Sequence, residues 1–216
     1  MRRVVQALTL QRMRDTRRRG RVLRSLSKSL GLVYFGAVDH RHDDHDVVRG
    51  LTLSTTHRDA HYMVGSFDGY DIALVDRIDS SGKDVTKWVI IQVRLKIDHA
   101  VPHIILVPHV HQARFDRSIA GLRHVQPIDS LVPEQYPHDV TQRYTLYGPA
   151  HDTLTVQQYI TPQRAHSLAI RLWPNALELK DGMLLVYIQE HRLDKTVLAA
   201  TVESALWLAD QIDDSV

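Results

Sequence analysis

Asp68-Gly69 stands between two apolar runs, Tyr62 to Phe67 and Tyr70 to Arg77. An Asp-Gly pair in that setting predicts a tight β-hairpin, because Gly accepts the positive φ that the turn demands. The device recurs near the C-terminus, where Lys180-Asp181-Gly182 separates Ala176 to Leu179 from Met183 to Ile188. Two such turns commit the chain to antiparallel pairing. Further strands are predicted over Leu32 to Val38, Val47 to Ser54 (interrupted by Gly50), Trp88 to Ile97, His103 to Val107 and Gln142 to Tyr147. In Trp88 to Ile97, Val93, Leu95 and Ile97 alternate with Arg94 and Lys96, which puts one face inward.

Helical signals sit between and after these runs. Gln112 to Leu122 reads as a short helix, and the three prolines within Gln126 to Asp139 read as loop. Asp152 or Thr153 caps a helix through Tyr159, and Thr161-Pro162 opens another, with Thr as N-cap and Pro at the first helical position. Asp194 caps a final amphipathic helix to about Asp214, with Val197, Leu198, Thr201, Val202, Ala205, Leu206, Ala209 and Ile212 as its buried face. The expected fold is α+β, an antiparallel sheet of six to eight strands with two or three helices on one face. It occupies residues 31–216 as one domain, preceded by a helical arm over 1–30.

That arm carries the charge. Arg2, Arg3, Arg12, Arg14, Arg17, Arg18, Arg19, Arg21, Arg24 and Lys28 face one acid, Asp15, for a net +9, while the rest of the chain is net −7. Val4, Val5 and Leu8, then Val22, Leu23, Leu26 and Leu30, recur at helical spacing, and Gly20 is expected to break the arm into two helices. Its apolar face is narrow, so it needs a partner surface or the body to hold its shape. A basic arm meets something anionic: lipid headgroups, nucleic acid or an acidic protein face.

Composition excludes several classes. There is no cysteine, so disulfides, thiolate catalysis and cysteine-based metal sites are absent. No apolar run approaches the roughly 20 residues of a membrane span. The N-terminus has no apolar segment of the secretory kind, though its Arg-rich, acid-poor composition is like that of an organelle transit peptide. All 14 histidines lie from His40 onward, and protonating them would turn the body from −7 to +7. They read mainly as scattered surface groups. No nucleotide-binding glycine loop and no serine-nucleophile elbow is present.

One segment offers metal chemistry. His40, His42, Asp44 and His45 match H-x-H-x-D-H, the pattern of metallo-β-lactamase-fold hydrolases. Such a set holds zinc and activates water. Its surroundings are wrong for that family, which places hairpins before the motif and alternating strands and helices after it. The segment reads as a solvated His/Asp loop, with no cofactor expected. His109 and His111 likewise read as exposed imidazoles at a strand end, and Asp59-Ala60-His61 lacks a companion nucleophile.

Tyr144-Thr145-Leu146-Tyr147-Gly148-Pro149, Tyr159-Ile160-Thr161-Pro162 and Asp181-Gly182-Met183-Leu184-Leu185-Val186-Tyr187, followed by a helix bearing Trp207-Leu208-Ala209, form an ordered set. It resembles a C-terminal module shared by a group of uncharacterised bacterial proteins, some associated with membrane segments. The resemblance implies no activity, cofactor or catalytic residue.

The sequence therefore reads as a non-enzymatic module, cytoplasmic and either free or peripheral to a membrane. It docks to an anionic lipid surface or an acidic protein partner through the arm's ten basic residues. Three other readings stay open: an arm that is solvated or rests on the chain's own acidic body, non-specific nucleic-acid binding through the arm, and a metal-dependent hydrolase built on His40 to His45.

Overall fold

A computed structural model of the chain describes residues 2–37, 48, 50, 51, 57–81, 84–97, 99–128, 136–149, 151–189 and 193–214, with side chains except at 2–14, 37, 80, 81 and 84. The elements run α1 (Arg2–Ser29), β1 (Val33–Ala37), β2 (Arg58–Phe67), β3 (Tyr70–Ser81), β4 (Asp84–Arg94), β5 (Ile104–Pro108), a 3-10 turn (His109–His111), α2 (Gln112–Ala120), β6 (Gln126–Pro127), α3 (His138–Thr141), β7 (Tyr144–Gly148), α4 (Thr153–Tyr159), α5 (Pro162–Arg171), β8 (Ala176–Lys180), β9 (Met183–Ile188) and α6 (Lys195–Asp213).

All strand pairs are antiparallel, in the order β1-β2-β3-β4-β9-β8-β5-β7-β6. Both predicted hairpins form. Asp68 and Gly69 have φ of 52° and 77°, and Asp181 and Gly182 have φ of 52° and 70°. The second hairpin does more than turn. Strand β9 pairs with β4 and β8 pairs with β5, so this late hairpin joins the N-terminal meander to the rest of the sheet.

The expectation of six to eight strands and two or three helices is too low. The described residues hold nine strands and six α-helices. Short β6 and the start of α3 lie in the proline-containing stretch read as loop, where elements of two to four residues give no periodicity to detect. Val48, Gly50 and Leu51 are not in a strand, and the remainder of the Val47 to Ser54 prediction lies outside the described residues.

Nor are the helices confined to one face. Leu23 and Leu26 of α1, Val140 of α3, Val156 of α4, Leu168 of α5 and the long apolar stripe of α6 pack with Val89, Ile91 and Val93 on one side. Phe115 and Ile119 of α2 pack with Trp88, Ile90 and Tyr187 on the other. Strands β4 and β9 are apolar on both sides, and a sheet of that kind must be covered twice.

The helix caps follow the sequence. Asp152 accepts from the N–H of Thr155, Thr161 from that of Arg164, and Asp194 from those of Thr196 and Val197. One position on α6 differs: Val197 is 47% exposed and Leu208 is buried in its place.

Gly20 does not break α1, which runs unbroken from Arg2 to Ser29. A Cβ at Gly20 would lie 2.8 Å from Cε1 of His61, so the glycine permits the helix to cross closely over β2. Strand β2 is itself irregular there, with a register shift between Ala60 and Met63 and φ of 53° at His61. The helix stops where Gly31 takes φ of 68°, with Leu32 N–H bonded to Ser27 O and Gly31 N–H to Lys28 O. That is a Schellman end, which needs a residue without a Cβ penalty.

Candidate functional site

The C-terminal half of α1 has two opposed faces. Leu23, Leu26 and Leu30 are buried in the core, whereas Arg17, Arg18, Arg21, Arg24 and Lys28 are exposed. At about 100° per residue, Arg17, Arg21, Arg24 and Lys28 fall within an arc of about 60° on the side opposite the leucines. The i, i+4, i+7, i+11 spacing thus turns a basic sequence into a basic stripe. None of the ion pairs among the described residues involves these five cations. The guanidinium carbon of Arg24 stands 5.0 Å from the ring centroid of Tyr34.

Arg19 does not belong to this surface. It points inward, and its Nε donates to Oδ2 of Asp76 at 2.7 Å, with both side chains over nine-tenths buried. Beside it, the Tyr34 hydroxyl and Nδ1 of His61 are 2.5 Å apart. Burial pushes the His61 pKa down, and the positive charges of Arg19 and Arg24 add to that against the opposing pull of Asp76. Of the other arm residues, Arg2, Arg3, Arg12 and Arg14 lie in α1, with no side-chain placement described.

A second polar group lies within the other sheet face. Arg77, fully buried, donates Nε to Oδ1 of Asp59 and Nη2 to both Oδ2 of Asp59 and the Val48 carbonyl, each at 2.7 Å. Glu178 is 2% exposed and accepts from the Tyr187 hydroxyl, from His103 Nε2 at 2.8 Å and from Leu51 N–H at 3.1 Å. His103 Nδ1 in turn lies 3.1 Å from Nε2 of His124. Gly50 sits where a Cβ would collide with the Tyr187 hydroxyl oxygen, so only glycine fits.

This acid, imidazole and phenol resemble catalytic parts, yet their partners are one another. Glu178 spends both oxygens on internal donors. Tyr187 is held protonated, because burial and the adjacent Glu178 charge raise its pKa well above the usual phenol value. The arrangement fixes the Val48 and Leu51 backbone onto the sheet. Sequence reading missed these residues. Their signal was a charge inside an apolar strand: Arg77 after Leu74-Val75-Asp76, and Glu178 between Leu177 and Leu179.

The metal pattern His40, His42, Asp44 and His45 lies outside the described residues. Among the described residues no group of three or more potential ligands is placed to hold a metal ion. Of the downstream histidines, His103 is committed to Glu178 and His109 bonds the Gln142 carbonyl at 2.9 Å. His111 is half-buried and meets Trp88 edge-on at 6.3 Å. Asp59 and His61, two apart in sequence, take different partners, Arg77 and Tyr34. Among the described residues, no helix is long and apolar enough to cross a membrane.

No protein-family model matches the chain, and no curated protein matches it in sequence. In fold it is similar to the crystal structure of the mycobacterial trehalose monomycolate transport factor A, TtfA. That likeness has a TM-score of 0.56 at 13% identity and covers 91% of this chain and 93% of that one. A likeness at that identity shows the fold alone.

Proposed function

We propose that this chain is a non-enzymatic docking factor that rests on an anionic membrane surface through the basic stripe of α1. The observation that carries the reading is the exposure of Arg17, Arg21, Arg24 and Lys28 on the side of α1 opposite its buried leucines. The body anchors the helix, so the four charges are held in line before any partner arrives. Each basic residue near an anionic leaflet contributes about 1 kcal/mol, screened by salt. Four give reversible, millimolar-range attachment, which suits a peripheral factor. The fold neighbour is named as a transport factor, which accords with a role in binding rather than in covalent chemistry.

Cosedimentation of the full chain with phosphatidylserine-containing and pure phosphatidylcholine vesicles tests the proposal. Pelleting with the anionic vesicles alone, reversed by salt, is expected. Recovery in the supernatant with both vesicle types overturns membrane docking. A salt-sensitive gel shift with arbitrary DNA in that case would reassign the stripe to nucleic acid.

A further inference from the structure

Helix α1 changes character at Gly20. Beyond it, Leu23, Leu26 and Leu30 are rooted in the core. Before it, Asp15, Thr16, Arg17 and Arg18 are exposed, and of the side chains described ahead of Leu23 only Arg19 is buried. Apolar burial therefore holds one half of the helix, and a polar group of contacts holds the passage into the other. Glycine is, after proline, the residue least suited to a helix interior, so Gly20 is where α1 bends most readily.

His61 lies under that point, its Cε1 placed 2.8 Å from where a Cβ of residue 20 would be. Its φ of 53° is in the left-handed region that favours glycine, at the register shift between Ala60 and Met63. Such backbone persists only where its surroundings over-determine it, and it clusters at switches. The ring stacks on Tyr34 with centroids 5.9 Å apart, and Nδ1 is 2.5 Å from the Tyr34 hydroxyl. A neutral imidazole accepts from that hydroxyl at Nδ1. An imidazolium carries a proton on both nitrogens and accepts nothing.

The groups facing His61 come from three elements: Arg19 and Arg24 from α1, Tyr34 from β1 and Asp76 from β3. On β2 itself, Asp59 is turned to Arg77. Asp76 is thus the one anion among the facing groups. Its Oδ2 holds Arg19 at 2.7 Å, and its Oδ1 has no hydrogen-bond partner among the described residues. An imidazolium shares that carboxylate with Arg19, and each cation loosens the other. Burial, helped by the two guanidinium groups and opposed by Asp76, keeps His61 neutral into more acid solution than a free histidine. The ring is half-buried, so a solvent proton can reach it.

We propose that Gly20 is a hinge and His61 its acid-operated catch. Neutral His61 keeps α1 straight across β2. Protonated His61 loses the Tyr34 bond and draws Asp76 from Arg19, so the helix ahead of Gly20 swings away while the leucines stay seated. Opening returns Arg19 and Asp76 together to water, so a buried pair is given up at little net cost. The two states differ in polar contacts rather than in apolar burial, and the charge of one imidazole is enough to choose between them. Resting on the docking reading, opening takes Arg17 out of line with Arg21, Arg24 and Lys28 and weakens the hold on an anionic surface in acid. The hinge itself is a property of α1 whether or not the stripe meets lipid.

The chain has no cysteine, so introduced thiols are its only labelling sites. Nitroxide pairs at Asp15→Cys/Glu203→Cys and at Ser25→Cys/Glu203→Cys, all exposed positions, report the two halves of α1 against α6. Distance distributions by pulsed electron spin resonance are taken from about pH 7.5 to about pH 5, with far-ultraviolet circular dichroism alongside. A second, displaced population is expected in acid for the Asp15 pair. It should rise by about tenfold per pH unit until it saturates, as a one-proton event does. The Ser25 pair and the dichroism should not change. In His61→Gln the displaced population should be lost. In Tyr34→Phe, which removes the hydroxyl that favours the neutral ring, it should appear at higher pH. No vesicle is present, so failure here is distinct from failure of membrane docking. A distribution for the Asp15 pair that ignores pH overturns the proposal. So does the same acid population in His61→Gln, an unshifted transition in Tyr34→Phe, movement of the Ser25 pair, or a parallel loss of dichroism.

Discussion

Arg19 of α1 and Asp76 of β3 meet at 2.7 Å beneath the helix, and this contact makes α1 part of the domain as well as its basic surface. Removing one partner from a buried pair leaves the other charge desolvated, at a cost of about 3 kcal/mol. Arg19→Ala is therefore expected to lower the urea midpoint strongly. Arg21→Gln, on the exposed stripe, should stay within about 0.5 kcal/mol. Equal effects from the two would remove the distinction between the inner and outer faces of α1.

Gly20→Ala tests the close crossing of α1 over β2. Helix propensity alone predicts a gain of about 1 kcal/mol. The Cβ 2.8 Å from His61 predicts a net loss instead, of about 1–3 kcal/mol. Pairing Gly20→Ala with His61→Ala should recover most of that loss in chemical denaturation. A stabilised single variant would contradict the crossing.

His61 also sets a pH dependence. Its folded pKa lies below 6.5, so the folded state binds fewer protons than the unfolded chain as pH falls through that region. Stability is then full above about pH 6.5 and declines below it, down to the folded pKa. His111, lowered by burial and by Arg114, adds with the same sign. Asp76, Arg19, Arg24 and Tyr34 surround His61, and none of the four reverses that direction. Urea midpoints measured between neutral and mildly acidic pH should fall with pH, and His61→Gln should flatten the slope. A slope unchanged by His61→Gln would refute this assignment.

Tyr187→Phe probes the buried acid. The hydroxyl donates to Glu178 and accepts from Leu51 N–H, so its loss should cost about 1–3 kcal/mol. Hydrogen exchange at the Leu51 amide should quicken, because one of its two acceptors is gone. An unchanged rate would mean that the amide is not held there.

The legible parts of the fold were those with local chemistry. Asp68-Gly69, Asp181-Gly182, Asp152, Thr161-Pro162 and Asp194 specify turns and caps through their own backbone or side-chain geometry, and each was found where it was read. Gly20 was misread because its reason lies 41 positions away in His61. Val197 was misread because helical periodicity does not say where the covering surface ends. The sign of the arm was plain in the sequence. Its division into a stripe and an inward Arg19 was not, since the spacing of Arg19 to Leu23 and Leu26 matters only once β3 places Asp76 beneath it.

Because Leu23, Leu26 and Leu30 belong to the core, deleting the arm would damage the body, and substitution is the cleaner test. The decisive measurement is a binding isotherm on phosphatidylserine-containing vesicles for the wild-type chain and for Arg17→Gln/Arg21→Gln/Arg24→Gln/Lys28→Gln. Four charges at about 1 kcal/mol each predict an affinity loss of up to about a thousandfold at low salt, with the urea midpoint preserved. A folded variant that binds as tightly as wild type would contradict the account.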